Sequence, residues 1–331
     1  MITYFHQNIG LIIKNLCIYK VHGIRYLIIE GYDDIFMSNT LKKILKHNSA
    51  NLANRYKVEN IIYIKVVENG HSIITQILFF ESDGIEFLFC GNGVLCTSSY
   101  LFSKYKVRAA NYITSSSSVF SFEIKKAHKI YINMGRTFLP SLNYMRDEIK
   151  IENKICYGAI KELPININIG VTAYSFTVPA FYLLAGEPHL VIFESMLMNI
   201  INKKISDNAF YEALIGNPSL LYQIGIELNK QRWFLQGVNV NLAKIVNENT
   251  VQYNSFERGL YKETLACSTG ATAIASVISE LGLIQSYPIH LQPKVARQHR
   301  EYQKLELLLN NKDGMWWLET THPPRLVWTH A

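Results

Sequence analysis

Two segments of this chain, FLFCGNGVLC at 87–96 and TLACSTGATAIA at 264–275, follow one plan. Each runs an apolar strand-like stretch into a cysteine, then a turn of small residues, then a stretch with helical spacing. After Gly93, the apolar Val94, Leu95, Leu101, Phe102 and Tyr105 fall on one helical face. After Thr269, Ala271, Ile274, Ala275, Ile278 and Leu281 do the same until Gly282 ends the run. Cys90 and Cys267 therefore stand just before a helix begins. Elsewhere the pattern is mostly short strands, such as HSIITQILFF and KIYINMG, with Gly84 and Gly135 as turn residues. The pattern breaks near 140–165, at Pro140, the charged RDEIKIENK and Pro164. This predicts a first domain over 1–148 carrying Cys90 and a second over 149–314 carrying Cys267. It implies a duplication of architecture, though not of sequence.

A chain of 331 residues that is 49% hydrophobic can bury a large core, and its length fits about two domains. Its 33 Lys and Arg against 26 Asp and Glu give +7, but the basic residues are scattered. Lys42, Lys43 and Lys46 read as the wet face of a helix, and no binding motif accompanies the charge, so nucleic acid is not an expected partner. The apolar stretch YSFTVPAFYLLAG is too short to span a bilayer and is interrupted by Pro179. The N-terminal IGLII run has no basic region before it and meets Lys14, which argues against export and for a cytoplasmic protein with no membrane partner. Five cysteines, Cys17, Cys90, Cys96, Cys156 and Cys267, are too few and too irregular for a disulfide framework or a zinc knuckle. They read as free thiols, with Cys17, Cys96 and Cys156 as small core residues.

The first turn of a helix presents unpaired backbone N–H groups and the positive end of the helix dipole, so it attracts anions and favours a thiolate. Two such turns facing each other would hold one carboxylate with a sulfur on each side of the carbon attached to it. An amino acid's α-hydrogen is a very weak acid; its removal needs a base in contact and stabilisation of the charge that flows into the carboxylate. A thiolate on one face would take the proton and a thiol on the other would return one. Inversion results, in either direction and without pyridoxal phosphate, so no cofactor or metal is expected.

The chain resembles the diaminopimelate epimerases and related cofactor-independent amino-acid racemases. The residues that carry the resemblance are Cys90-Gly91-Asn92-Gly93, with Cys96 after them, and Glu257-Arg258-Gly259 followed by Glu263-Thr264-Leu265-Ala266-Cys267-Ser268-Thr269-Gly270-Ala271. NMG at 133–135, PHLVIF at 188–193 and GVNVN at 237–241 extend it over most of the chain. The resemblance implies an α/β (α+β) fold of two pseudo-symmetric domains, each of strands wrapped around a central helix, with the active site in the cleft between them. It also implies a last strand, about 315–331, that packs back on the first domain. Cys90 and Cys267 match the acid–base pair, and His189 and Glu257 match residues that assist the reacting centre. Backbone amides of Gly91, Asn92, Ser268 and Thr269 match the carboxylate cradle, with Ser268 in place of a glycine. Asn239 and Arg258 match substrate-holding positions.

Departures from the family pattern gather away from the reacting centre. The family's HGxGNDF element survives as VHGIRYLII, keeping His22 and Gly23 but not the asparagine that touches substrate. The loop after Arg55 is shortened to YKVEN, and one residue is added between Glu257 and Cys267. Glu81 and Glu187 stand where the family offers neutral asparagines to the far end of its substrate. Acidic residues there predict a basic amino acid, such as histidine, lysine, ornithine or arginine, ahead of diaminopimelate. A catalytically silent amino-acid-binding protein on the same fold is the alternative function, and a homodimer is left open.

Overall fold

A computed structural model describes residues 13–32, 39–69, 72–114, 119–125, 129–140, 149–169, 172–204, 219–231 and 233–330. Most of the IGLII run and residues 141–148 of the break between the two halves lie outside them. In chain order the elements are β1 (Ile13–Val21), β2 (Ile24–Gly31), α1 (Asn39–Tyr56), β3 (Asn60–Asn69), β4 (Ser72–Glu81), β5 (Glu86–Phe87), α2 (Gly91–Tyr105), β6 (Ala109–Thr114), β7 (Val119–Ile124) and β8 (Ile130–Gly135). There follow β9 (Glu152–Asn153), β10 (Gly158–Ile169), β11 (Thr172–Ala185), β12 (Glu187–Phe193), α3 (Glu194–Lys204), α4 (Leu220–Lys230), β13 (Asn239–Ile245), β14 (Thr250–Glu257) and β15 (Lys262–Thr264). The chain ends with α5 (Ser268–Glu280), β16 (Ile289–Pro293), α6 (Lys294–Arg297), β17 (Leu307–Lys312), β18 (Met315–Thr320) and β19 (Arg325–His330). The fold is mixed α/β.

The elements divide into two compact units, one of residues 1–134 with 317–331 and one of residues 135–316. The first unit opens with the antiparallel hairpin β1–β2. Its two-residue loop, His22-Gly23, has φ of 49° and 83°, the positive pair that a type I′ turn needs to match the strand twist. A crossover through α1 then brings β3 parallel to β2, and β4 returns antiparallel to β3. A second crossover, through α2, brings β6 parallel to β4, with β7 antiparallel beside it. β19 pairs antiparallel with the free side of β1.

The second unit repeats this order of pairings. β11 and β12 are antiparallel, and a crossover through α3 and α4 brings β13 parallel to β12. β14 is antiparallel to β13; α5 then carries the chain over to β16, parallel to β14, and β17 returns antiparallel. The short strands β5 and β15 correspond as well: each pairs antiparallel with the strand before it and leads directly into a cysteine and its helix.

Both cysteine-bearing helices are interior elements. Every residue of α5 from Ser268 to Ile278 is buried, and the helix contacts β11, β12, β13, β16 and β17. A helix apolar or small on all sides has no solvent face to offer, so strands surround it. Its Ala and Ser side chains keep those strands close. In α2 the run Gly91–Ser98 is buried together with Tyr100 and Leu101. The outer helices behave differently: α1 is amphipathic, with Leu45, Leu52 and Ala53 in the unit's core and Lys43 and Lys46 exposed. In the second unit the corresponding layer is α3 and α4, whose Leu197, Ile201, Leu221, Ile224 and Leu228 pack with strands β10 to β13.

Candidate active site

Each cysteine is the N-cap of its helix, in the same conformation. Cys90 has φ −136° and ψ 108°, Cys267 φ −105° and ψ 114°, and both are extended. Each sulfur accepts the backbone N–H three residues on: Gly93 to Cys90 at 3.3 Å and Gly270 to Cys267 at 3.3 Å. The side chain thus takes one of the orphan first-turn donors, the role usually filled by Ser or Asp. The remaining first-turn amides, those of Gly91 and Asn92 in one unit and Ser268 and Thr269 in the other, sit at the positive end of a buried helix. Such an end binds a carboxylate readily.

The glycine three residues after each cysteine is there for space. A Cβ on Gly93 would come within 2.9 Å of Phe79 Cε1 and 3.1 Å of Ile62 Cδ1. On Gly270 it would meet Asn241 Oδ1 at 2.3 Å and Ser255 Oγ at 2.9 Å. In both units the first turn is pressed onto the sheet where only glycine fits.

In the second unit, β12, β13 and β14 bring further polar side chains to the start of α5. His189 is fully buried, opposite Asn239 in the parallel register of β12 and β13. The amide of Asn241 donates to Leu190 O and lies 3.0 Å from His189 Nδ1, while its Oδ1 accepts from Ser255 at 2.7 Å. With both orientations fixed, His189 Nδ1 is the acceptor and the proton sits on Nε2. Burial, and then the charge of Arg258, lower the His189 pKa to about 3, so the ring is neutral at physiological pH. Nε2–H is buried without a hydrogen-bond partner among the described residues, a donor left unspent.

Glu257 ends β14 and is hydrogen-bonded by the Thr264 hydroxyl and by the Cys267 thiol. Desolvation raises its pKa to about 7, against the lowering effect of those bonds and of Lys262. Arg258 is anchored at three points: its backbone N–H donates to Asn239 Oδ1 at 2.9 Å, and its guanidinium to the carbonyl of Gln236 and the carboxylate of Glu187. Thr269 Oγ1 lies 3.3 Å from the Cys267 sulfur. In this unit Glu187, His189, Asn239, Glu257, Arg258, Cys267, Ser268 and Thr269 thus form one connected neighbourhood.

In the first unit Cys90, Gly91 and Asn92 open α2, and Asn92 Oδ1 is 3.0 Å from Nδ1 of the buried His22. The other ring nitrogen of His22 faces Thr320 Oγ1 at 2.9 Å. Burial lowers the His22 pKa to about 4, which keeps the ring neutral. Glu81 ends β4, half-buried, in a turn closed by Gly84 N–H to its carbonyl. Sequence reasoning did not single out Tyr26 and Asn241. The Tyr26 hydroxyl lies 3.5 Å from the Cys90 sulfur, and Asn241 sets the tautomer of His189. Asn241 lay within the GVNVN motif, where the alternation of a strand puts it on the face that Asn239 uses.

No protein-family model matches the chain. It is 28% identical over 228 residues to the diaminopimelate epimerase of Clostridium perfringens, covering 67% of this chain and 70% of that one. Against the diaminopimelate epimerase of Buchnera aphidicola it is 25% identical over 271 residues, covering 80% and 81%. Among solved structures it is similar to a hydroxyproline epimerase from Agrobacterium vitis, with a TM-score of 0.58, 10% identity, and 96% and 91% of the two chains covered. The chain resembles these diaminopimelate epimerases in sequence, and its fold is similar to that of the hydroxyproline epimerase.

Proposed function

We propose that this protein is a cofactor-independent amino-acid racemase or epimerase in which Cys90 and Cys267 are the acid–base pair. One observation carries the reading: in two units with the same order of strand pairings, a cysteine caps a buried helix with the same backbone conformation and the same sulfur–amide bond. A single reactive thiol needs only one such turn. Two of them suit a reaction that needs a proton-handling group on each face of a carbon.

In this mechanism the first-turn amides of both helices bind the α-carboxylate and stabilise the charge that develops there. One cysteine, as thiolate, takes the α-proton; the other, as thiol, delivers its own to the opposite face. The proton balance is even, and the enzyme ends with the two protonation states exchanged. His189 offers its buried Nε2–H as a fixed neutral donor, and Glu257, hydrogen-bonded to the Cys267 thiol, exchanges charge with it. Glu257 at about 7 is poised near the operating pH, where a proton-transfer group is most effective.

For the substrate we infer an amino acid with a cationic side chain, ahead of diaminopimelate, and the support differs from that read in the sequence. The demand for a cation at Glu187 is met within the unit by Arg258. That same pair leaves the guanidinium engaged by Glu187 and the Gln236 carbonyl, so a substrate's second carboxylate would have to displace Glu187. A partner broken out of a largely buried charged pair is costly to replace.

The test is an NMR screen of single-enantiomer amino acids in heavy water with the reduced protein, including histidine, lysine, ornithine, arginine and diaminopimelate. The expected result is loss of the α-proton signal and growth of the opposite enantiomer, fastest for a basic amino acid. Cys90→Ala and Cys267→Ala should each lower racemisation by at least about a thousandfold, given the size of general acid–base effects compounded over two faces. Near wild-type racemisation by either variant would overturn the two-thiol mechanism. Binding without any exchange would identify a catalytically silent binding protein, and turnover of diaminopimelate alone would refute the substrate class.

A further inference from the structure

The sulfur of Cys90 is approached from two sides within its own unit: by the Gly93 N–H at 3.3 Å, along the helix, and by the Tyr26 hydroxyl at 3.5 Å, from the sheet. Tyr26 is the third residue of β2, flanked by Tyr19 of β1 and Asn60 of β3, and is 1% exposed. Phenylalanine would serve a purely apolar position, and burying a phenol is costly unless its oxygen is hydrogen-bonded. Here the oxygen is directed at a thiol. Among the described contacts, the titratable groups around the start of α2 include Tyr26 from β2, His22 from the β1–β2 loop with His322 beside it, and Cys96, six residues past Cys90, with Cys17 of β1 beside it. His22 touches Asn92, and Cys96 is fully buried with its thiol pushed well up, chiefly by desolvation, so it stays protonated. Tyr26 meets the Cys90 sulfur directly.

We propose that Tyr26 is a positioning residue for Cys90, which hydrogen-bonds the sulfur in both of its protonation states and stabilises the thiolate. The proposal rests on the reading of Cys90 as one of the two acid–base thiols. When Cys90 is ionised, the phenol O–H and the Gly93 N–H both donate to it. When Cys90 has received a proton, the phenol oxygen is placed to accept the S–H. The thiol then keeps one orientation through the cycle. Position 26 thereby acquires a function that neither the cysteine motif nor the spacing of β2 discloses.

The experiment measures the rate of iodoacetamide alkylation of Cys90 against pH, read on the Cys90 peptide by mass spectrometry. It compares the wild-type chain, Tyr26→Phe, and a chain with 3-fluorotyrosine inserted at position 26. A hydrogen bond to an ionised group predicts a midpoint about one pH unit higher in Tyr26→Phe. The fluorinated phenol, a stronger donor of almost the same volume, should move the midpoint the other way. Racemisation by Tyr26→Phe should fall about tenfold in kcat with little change in KM. Unchanged alkylation midpoints in both variants would overturn the proposal. So would shifts in the same direction, which would mark a packing effect. Because alkylation requires no turnover, a protein that proved not to be a racemase would still report on Tyr26, and the two failures remain distinguishable.

Discussion

Each candidate acid–base cysteine is set by its own short segment, whereas the residues around it are brought together from far along the chain. A cysteine before a small-residue turn and a helical period is a local pattern, so Cys90 and Cys267 stand out in one dimension. The orientation of His189 depends on Asn241, 52 positions away in sequence, and Asn92 is met by His22 across 70. No spacing rule reaches that far. Glu257 shows what such placement does. Its folded pKa of about 7 lies above the ordinary value of 4.5 because burial penalises the charged carboxylate. The folded state therefore holds a proton that the unfolded state releases between those values. The contribution of this group to stability is whole below about 4.5 and is lost as pH rises through about 7. Glu257→Gln should accordingly match the wild type in urea midpoint near pH 5 and exceed it near pH 8. A gap between the two proteins that did not change with pH would show that Glu257 is charged throughout.

At the level of elements, the start of each central helix is a small device of four residues: a cysteine that caps, two residues whose amides open the helix, and a glycine that lets the turn touch the sheet. The change from strand to helix periodicity made both devices visible. Their closeness to neighbouring strands was not visible, since it follows from the parallel crossovers that place β13 and β14 beneath α5 and β3 and β4 beneath α2. The two glycines should differ in what they tolerate. Alanine is favoured over glycine inside a helix by up to about 1 kcal/mol. At Gly270 the added carbon would fall 2.3 Å from Asn241 Oδ1, in the network that fixes His189. Overpacking of this kind costs about 1–3 kcal/mol, more than the propensity gain. Gly270→Ala should lower the urea midpoint and slow turnover together. Gly93→Ala, which meets the ring edge of Phe79 and the end of Ile62 at 2.9 and 3.1 Å and touches no hydrogen-bond network, should also be destabilised but lose less of both. A Gly270→Ala protein as stable and as active as the wild type would show that the first turn of α5 has room to move.

Over the whole molecule, the chain closes its first unit with its last strand. β19 pairs with β1 over Leu16 to Lys20, and Trp328 packs on the unit's core with its ring 5.7 Å from that of Tyr56. The last strand was expected only through the family resemblance, and its partner, some 300 positions earlier, is encoded in no local pattern. The second unit has no such dependence, since residues 135–316 are continuous. The asymmetry makes a prediction about where stability resides. Ending the chain after Pro324 removes β19 but leaves Thr320 in place to hold His22. β1 then becomes an edge strand with unpaired backbone groups along one side, and Tyr56 loses its aromatic neighbour. Hydrogen exchange followed by mass spectrometry should show faster exchange in β1, β2 and the C-terminal part of α1. Strands β11 to β14 and helix α5 should keep wild-type protection, because none of their partners has been removed. Equal loss of protection in both units would mean that they unfold as one cooperative body. Undiminished protection of β1 would mean that the pairing with β19 contributes little to the first unit. In the expected case the truncated chain should also alkylate faster at Cys90 than at Cys267, since only the first helix start would have lost part of its support.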